Sequence, residues 1–240
     1  MISLLLKEIR TFLSSLHGYV FMGAFLSACA AVLWFLPDTR IQDLGYASLD
    51  VFFNYAPQLF LILIPAITMR SFAEERKTGT IELLMTLPLR KYEIVTAKYL
   101  ASLLLTFVAL VPTLVYVYTI YELADPRGNI DGGSIAGSYL GLLFLSSSYC
   151  AVGIYASTLT DNSLISLISA IGLCIFFSMG LEALAFMSVI KDYGFIILKL
   201  SLSEHYISMS RGVIDSRDVI YFISFVILFL GLSMRNLSVK

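Results

Sequence analysis

The chain has 240 residues, 58% of them apolar and 14% charged, with a net charge of −1 and a mean hydropathy of +0.86. A water-soluble domain of this length cannot hide that much apolar surface in one core, which excludes a soluble enzyme and identifies an integral membrane protein. No nucleic acid is expected among its partners.

Residues 1–16 place Ile2, Leu5, Leu6, Ile9, Phe12, Leu13 and Leu16 on one helical face and Ser3, Lys7, Arg10 and Ser14 on the other. This spacing predicts an amphipathic helix on the inner membrane surface, with a plain extension of the first span as the equal alternative. No small-residue cleavage site follows the first apolar run, so the first span is expected to stay in the mature protein.

Apolar runs then fall at about 18–36, 52–69, 99–121, 134–158, 164–187 and 219–234, the fifth interrupted only by Glu182. Roughly 20 apolar residues at about 1.5 Å each cross the hydrocarbon core, so six spans are predicted. Each run is continuously apolar rather than alternating, which favours an all-α membrane bundle over a β-barrel, as a single transmembrane domain over 1–240. Cys29, Cys150 and Cys174 lie inside these runs without C-x-x-C spacing and read as small buried hydrophobes.

Span two carries Pro57 and Pro65, and span three Pro112; each removes a backbone hydrogen bond and predicts a kink. Asn54 and Gln58, four apart, share a face of span two, where hydrogen bonding to another helix is preferred over contact with a transported substrate. Between spans two and three lies a charged island over 70–90. Arg70 to Lys77 continue the second helix, Thr78 and Gly79 break it, and a second short helix follows with Thr80 as N-cap, Glu82 in its first turn and Pro88 as its end. Ile81, Leu84 and Leu87 share its apolar face. That face either enters a groove on a partner, with Glu74, Glu75, Arg76 and Lys77 setting orientation, or lies flat against lipid.

Gly133, Gly137 and Gly141 form two overlapping G-x-x-x-G units at the start of span four, a close-packing surface. Glu182 is the lone acid within a span; it is a candidate proton relay, or it reaches water near the outer surface. Residues 188–218 are too apolar for a free loop and predict one or two short external helices, with Tyr193, Tyr206 and Tyr221 at the interface.

With the N-terminus inside, the inner side holds Lys7, Arg10, Arg70, Arg76, Lys77, Arg90, Lys91, Lys98, Arg235 and Lys240, ten of the sixteen cations. The outer side holds Arg40, Arg127, Lys191, Lys199, Arg211 and Arg217. Both termini are therefore predicted cytoplasmic. His17 at the inner edge and His205 on the outer side cannot meet one serine at mid-membrane depth, and H-E-x-x-H is missing, so intramembrane proteolysis is excluded. No G-x-x-x-x-G-K-[ST] loop occurs, so the chain has no phosphate cradle of its own.

The island resembles the signature of ABC-2-type transporter permeases, in which an acidic pair, a Gly-Thr and a Glu-Leu-Leu followed by Pro lie between spans two and three. Here these are Glu74-Glu75, Gly79-Thr80, Glu82-Leu83-Leu84 and Pro88. KEIRTFLSSLHGYVF (7–21), GNIDGGSIAGSYLGLL (128–143), ASTLTDNSLIS (156–166) and RGVIDSRDVIYF (211–222) narrow the similarity to the gliding-motility-associated ABC permease subunit. Ala97-Lys98 departs from the Gly-Lys expected at the start of span three.

The resemblance implies a six-span, non-catalytic permease of the bacterial inner membrane, working as a homodimer or with a second permease. It implies two cytoplasmic ABC ATP-binding subunits that hold ATP and Mg, no cofactor in this chain, and a coupling helix through which the ATPase acts on spans one, two and five around a dimer axis. A further membrane subunit with a large external domain is part of the same expectation. The alternatives are a permease for maturation of a periplasmic metalloenzyme such as nitrous oxide reductase, and a non-transporting membrane scaffold for an ATPase.

Overall fold

A computed structural model describes residues 1–36, 48–86, 89–187 and 194–237. Arg40, Leu87, Pro88, Lys191, Tyr193, Lys240 and the side chain of His17 lie outside this description, and with them the sequence-based readings that rest on them. The described residues are helical and contain no strand.

Chain order follows the apolar runs. Helix α1 (Ile2–Leu13) meets α2 (Leu16–Trp34) at a bend of 68°. Ser15 makes that elbow: its hydroxyl donates to the Phe12 carbonyl at 2.7 Å and accepts from the Gly18 amide at 3.1 Å, capping the new helix as the old one ends. α1 is thus a separate helix, packed along α6 rather than continuing the first span. Leu4, absent from the predicted face, is its buried residue, while Ile2 and Leu6 on that face are exposed. Leu5, Ile9, Phe12 and Leu13 of the predicted face do pack against the core, with Leu4 and Glu8 added at its edge.

α3 (Asp50–Thr68) buries Phe52, Phe53, Ala56, Phe60 and Ile64, and leads into the short α4 (Ala73–Lys77) and α5 (Thr80–Thr86). α6 (Lys91–Leu110) opens with the Arg90 amide donating to the Glu93 carboxylate at 2.8 Å. At Pro112 one 3₁₀ turn, Val111–Thr113, joins it to α7 (Leu114–Leu123), so Pro112 tightens the helix without ending the span. α8 (Gly132–Leu159), capped by Asp131, is the central pillar against which α3, α6, α9, α12 and α13 all pack.

α9 (Ser163–Ile175) starts at the Asn162 cap and passes through a π turn, Phe176–Gly180, into α10 (Leu181–Ala185). Two short helices follow, α11 (Gly194–Leu198) and α12 (Leu202–Ser210), then α13 (Ser216–Asn236). Among the described residues, five helical segments are long and apolar enough to cross a membrane, or six when the bent pair α1 and α2 is taken as one span. The chain is an all-α membrane protein.

The core runs the length of α8, where Leu142, Leu145, Tyr149, Cys150, Val152 and Ile154 are all buried, and aromatic contacts extend it sideways. Phe177 of the π turn meets Phe225 and Phe229 of α13 at 5.2 and 5.5 Å between ring centres, and Tyr155 meets Phe229 at 5.6 Å. Cys29, Cys150 and Cys174 are buried and unbridged.

The bundle has two unlike ends. The ends of α3, α8 and α13 meet α4, α5 and the start of α6; the starts of α8 and α13 meet α12, and α11 packs on α10. At the second end the glycine strip receives α12. A Cβ on Gly137 would lie 2.6 Å from the Met209 carbonyl, and Gly141 faces Tyr206 and Met209. Gly133 lies against the backbone of Gly212, and the hydroxyls of Ser134 and Ser138 donate to the Ser210 carbonyl. The partner of the glycines is this short helix.

Pro57 explains a second tie at that end. It has no amide hydrogen for the carbonyl of Phe53, four residues back. Tyr206 of α12 supplies the missing donor, its hydroxyl lying 2.7 Å from the Phe53 oxygen. Burial pushes the Tyr206 phenol up, which keeps that proton on the oxygen.

Candidate functional site

The α4–α5 end gathers most of the residues singled out in the sequence. α3 ends at Thr68, and a turn at 69–72 carries the chain into α4. That turn is held from outside: the Ser157 hydroxyl of α8 accepts the amides of Phe72 at 2.8 Å and Ala73 at 3.1 Å, and donates to the Met69 carbonyl at 3.3 Å. One hydroxyl so satisfies the first backbone donors of α4. Beside it the Asn236 amide of α13 donates to the Thr158 carbonyl at 2.7 Å, tying the ends of α8 and α13 together.

Lys98 is the centre of the site. It sits in the second turn of α6, and its side chain is 1% exposed. Its ammonium lies 2.9 Å from Glu8 of α1, 2.9 Å from Glu75 of α4 and 2.6 Å from the Ser71 carbonyl. The Phe72 ring covers it at 4.9 Å. Three donors and three acceptors from three segments satisfy the ammonium fully, the condition under which a buried charge is tolerated. Lys7 stands 3.7 Å from the same Glu75 oxygen. The second Glu75 oxygen is buried and makes no hydrogen bond among the described residues.

This arrangement corrects the expectation for Glu75. It does not face outward to orient a partner; it is engaged by Lys98. Glu74 is exposed, 3.9 Å from Arg70 one helical turn earlier. Arg76 is half-buried and lines a cleft of about 700 Å³ with Ile81, Glu82, Met85, Leu159 and Leu237, between α5 and the ends of α8 and α13.

Gly79 adopts φ of +72°, a left-handed turn that a side chain would strain, so the reversal between α4 and α5 falls there. Thr80 is the first residue of α5, but its hydroxyl does not cap that helix. It turns back to the Glu75 carbonyl at 3.4 Å and to the Thr78 hydroxyl at 2.9 Å. The two-helix shape predicted from the sequence is present.

Its facing is reversed. Leu84 is 7% exposed and belongs to the apolar core, with Ile81 and Met85 half-buried beside it. The outward face is Glu82, Leu83 and Thr86, with Leu83 68% exposed. The helical phase that groups Ile81 with Leu84 is the phase expected. What covers that face is the chain's own body, because burying it there saves the apolar area that a partner would otherwise have to shield.

The remaining candidates lie elsewhere. Asn54 and Gln58 are both exposed on α3, beside Tyr55, and neither amide makes a hydrogen bond to another helix among the described residues. Glu182 is half-buried in α10, directly after the π turn, and makes no ion pair or hydrogen bond among the described residues. The glycine strip is at the opposite end, as described. Sequence reasoning missed Lys98, Glu8, Ser157 and Asn236 as parts of the site. A lysine eight residues into an apolar helix was the available signal for Lys98.

Residues 38–210, a stretch that includes α3 to α12, match the family model described as ABC-2 family transporter protein. No curated protein matches the chain. The match spans well over half the sequence and contains the whole α4–α5 segment, so the chain belongs to the ABC-2 family transporter proteins, as a multi-pass membrane permease of an ABC transporter.

Proposed function

We propose that the chain couples ATP hydrolysis by separate cytoplasmic ATP-binding subunits to movement of its own helices, with α4–α5 as the coupling element and Glu82, Leu83 and Thr86 as the surface that the ATPase grips. The observation that carries this reading is the wiring of α4. Its start is held by Ser157 of α8, and Glu75 within it shares Lys98 of α6 with Glu8 of α1. A push on α5 therefore reaches α1, α6 and α8 directly, rather than spans one, two and five alone. ATP and Mg belong to the partner, in two copies, one for each permease of a dimer.

Asn54 and Gln58 support the dimer. Exposed amides on a membrane-spanning helix are costly against lipid, and a second permease meeting that face of α3 would satisfy them. The four stretches that resemble the gliding-motility-associated permease support that subtype, an inner-membrane location with cytoplasmic termini, and a further membrane subunit with a large external domain.

The test is co-purification with the ATP-binding subunit, read together with ATP turnover in proteoliposomes. Glu82→Lys and Leu83→Asp leave the permease folded and weaken capture of the ATPase by roughly tenfold or more, the loss expected for a central contact residue. A Leu83→Cys variant reacts with an impermeant thiol reagent in inverted vesicles and not in intact cells. Unchanged capture in both variants, or labelling of intact cells, overturns the reading.

A further inference from the structure

The opposite end of the bundle holds a pair of titratable groups that the coupling reading does not use. His205 of α12 lies with Nδ1 2.7 Å from a carboxylate oxygen of Asp218 in the first turn of α13, and with Nε2 2.8 Å from the carbonyl of Lys199. The Tyr221 ring stacks on the imidazole at 3.9 Å between centres, and its hydroxyl donates to the Leu200 carbonyl at 2.5 Å. Asp218 is nearly buried, and its second oxygen is buried without a hydrogen bond among the described residues.

The protons can be counted. A backbone carbonyl only accepts, so Nε2 carries hydrogen whenever the Lys199 contact is made. Between Nδ1 and the carboxylate a second proton is required, carried on Nδ1 as an imidazolium facing a carboxylate. With both contacts made, the pair holds one proton more than a neutral imidazole beside a carboxylate.

We propose that His205 and Asp218 form a proton-binding site that closes the turn between α11 and α12 onto α13, so that this end of the bundle tightens in acid and loosens as pH rises. Without the extra proton one N–H serves two acceptors, and the imidazole lone pair faces an oxygen at contact distance, that of Asp218 or that of Lys199. Whichever tautomer forms, one of the two ties is lost, either the carboxylate contact to α13 or the carbonyl contact to the turn. The proton stabilises the closed form, so acid favours closure and alkali opening.

Charged neighbours in sequence are found among the described residues. Glu204 precedes His205 on α12, Lys199 stands on the turn before it, and Asp215 and Arg217 flank the start of α13. From α8, packed against α12, comes the phenol of Tyr149 beside Tyr206 and no charged side chain along 132–159. The π turn contributes Ser178, whose carbonyl accepts from the Ser201 hydroxyl at 2.7 Å.

The experiment is hydrogen–deuterium exchange of the full chain in lipid nanodiscs from about pH 5.5 to about pH 8.5, corrected for intrinsic rates, with the centre of α8 as reference; the range brackets the ordinary histidine value. Protection of 199–210 falls about tenfold or more relative to the reference across this range. His205→Gln and Asp218→Asn exchange at the open level throughout, whereas Tyr221→Phe keeps the pH step. Nitrogen NMR of labelled imidazole, assigned with His205→Gln, shows two protonated ring nitrogens at the acid end and one at the alkaline end, and it decides the matter if a variant fails to insert. Protection of the wild-type segment that does not change with pH, or a ring that stays singly protonated, overturns the proposal. Either result leaves the α4–α5 reading untouched, because the two sites occupy opposite ends of α8.

Discussion

The α4–α5 end is held by charge and by single hydroxyls, whereas the α11–α12 end is held by backbone in contact with backbone. At the first, Lys98 joins Glu8 and Glu75 across α1, α4 and α6. At the second, the glycines of α8 let the carbonyls of α12 approach, and serine hydroxyls and Tyr206 fill the exposed acceptors. Close packing resists small displacements steeply, because interiors are dense. A shared ion tolerates a shift of its partners until a contact breaks. The molecule thus has an end suited to being pushed and an end suited to staying put.

The sharpest way to break that contrast is Lys98→Met. It leaves Glu8 and Glu75 facing each other with only the exposed Lys7 near them, and removing one member of a buried ion group costs about 3 kcal/mol or more. A large drop in thermal unfolding temperature in detergent is expected, partly restored by adding Glu75→Gln; an unchanged temperature would mean that the cluster is a bystander.

Leu84→Ala comes next, at about 2 to 3 kcal/mol from lost burial. Its neighbour Leu83→Ala should change stability by no more than about 0.5 kcal/mol. Equal effects in the same thermal assay would show that α5 faces the other way.

Gly137→Ala presses a methyl group into the Met209 carbonyl and should cost about 1 to 3 kcal/mol, with faster proteolysis at 199–215 as the local readout. Smallest is Tyr206→Phe, about 1 kcal/mol from the stranded Phe53 carbonyl, seen as faster exchange in the outer turns of α3. If both leave α12 as protected as before, the second end is not the rigid one.

The bundle was legible in the sequence because a span announces itself by uninterrupted apolar composition, and the six runs correspond to the long helices. The α4–α5 reversal was legible too, since Gly79 marks it. What could not be read was long-range pairing. The depth of Lys98 in its helix marks it as unusual, but its partner Glu8 is ninety positions away and nothing local names it. Leu84 shows the same limit in another form: periodicity groups it with Ile81, but it does not say whether protein, lipid or a partner lies on that side. Pro57 lies between these cases, because it guarantees a stranded carbonyl at Phe53 while leaving the identity of the donor to the tertiary structure.

That stranded carbonyl has a mechanical consequence. A proline in a membrane helix usually acts as a loose hinge about which the two halves swing independently. Here the phenol of Tyr206 splices the hinge to a neighbouring segment, and that segment is itself wedged against α8. The upper half of α3 therefore cannot lean over alone: it either carries the α12 wedge with it or snaps one identifiable bond, which makes a passive kink into a linkage between two moving parts.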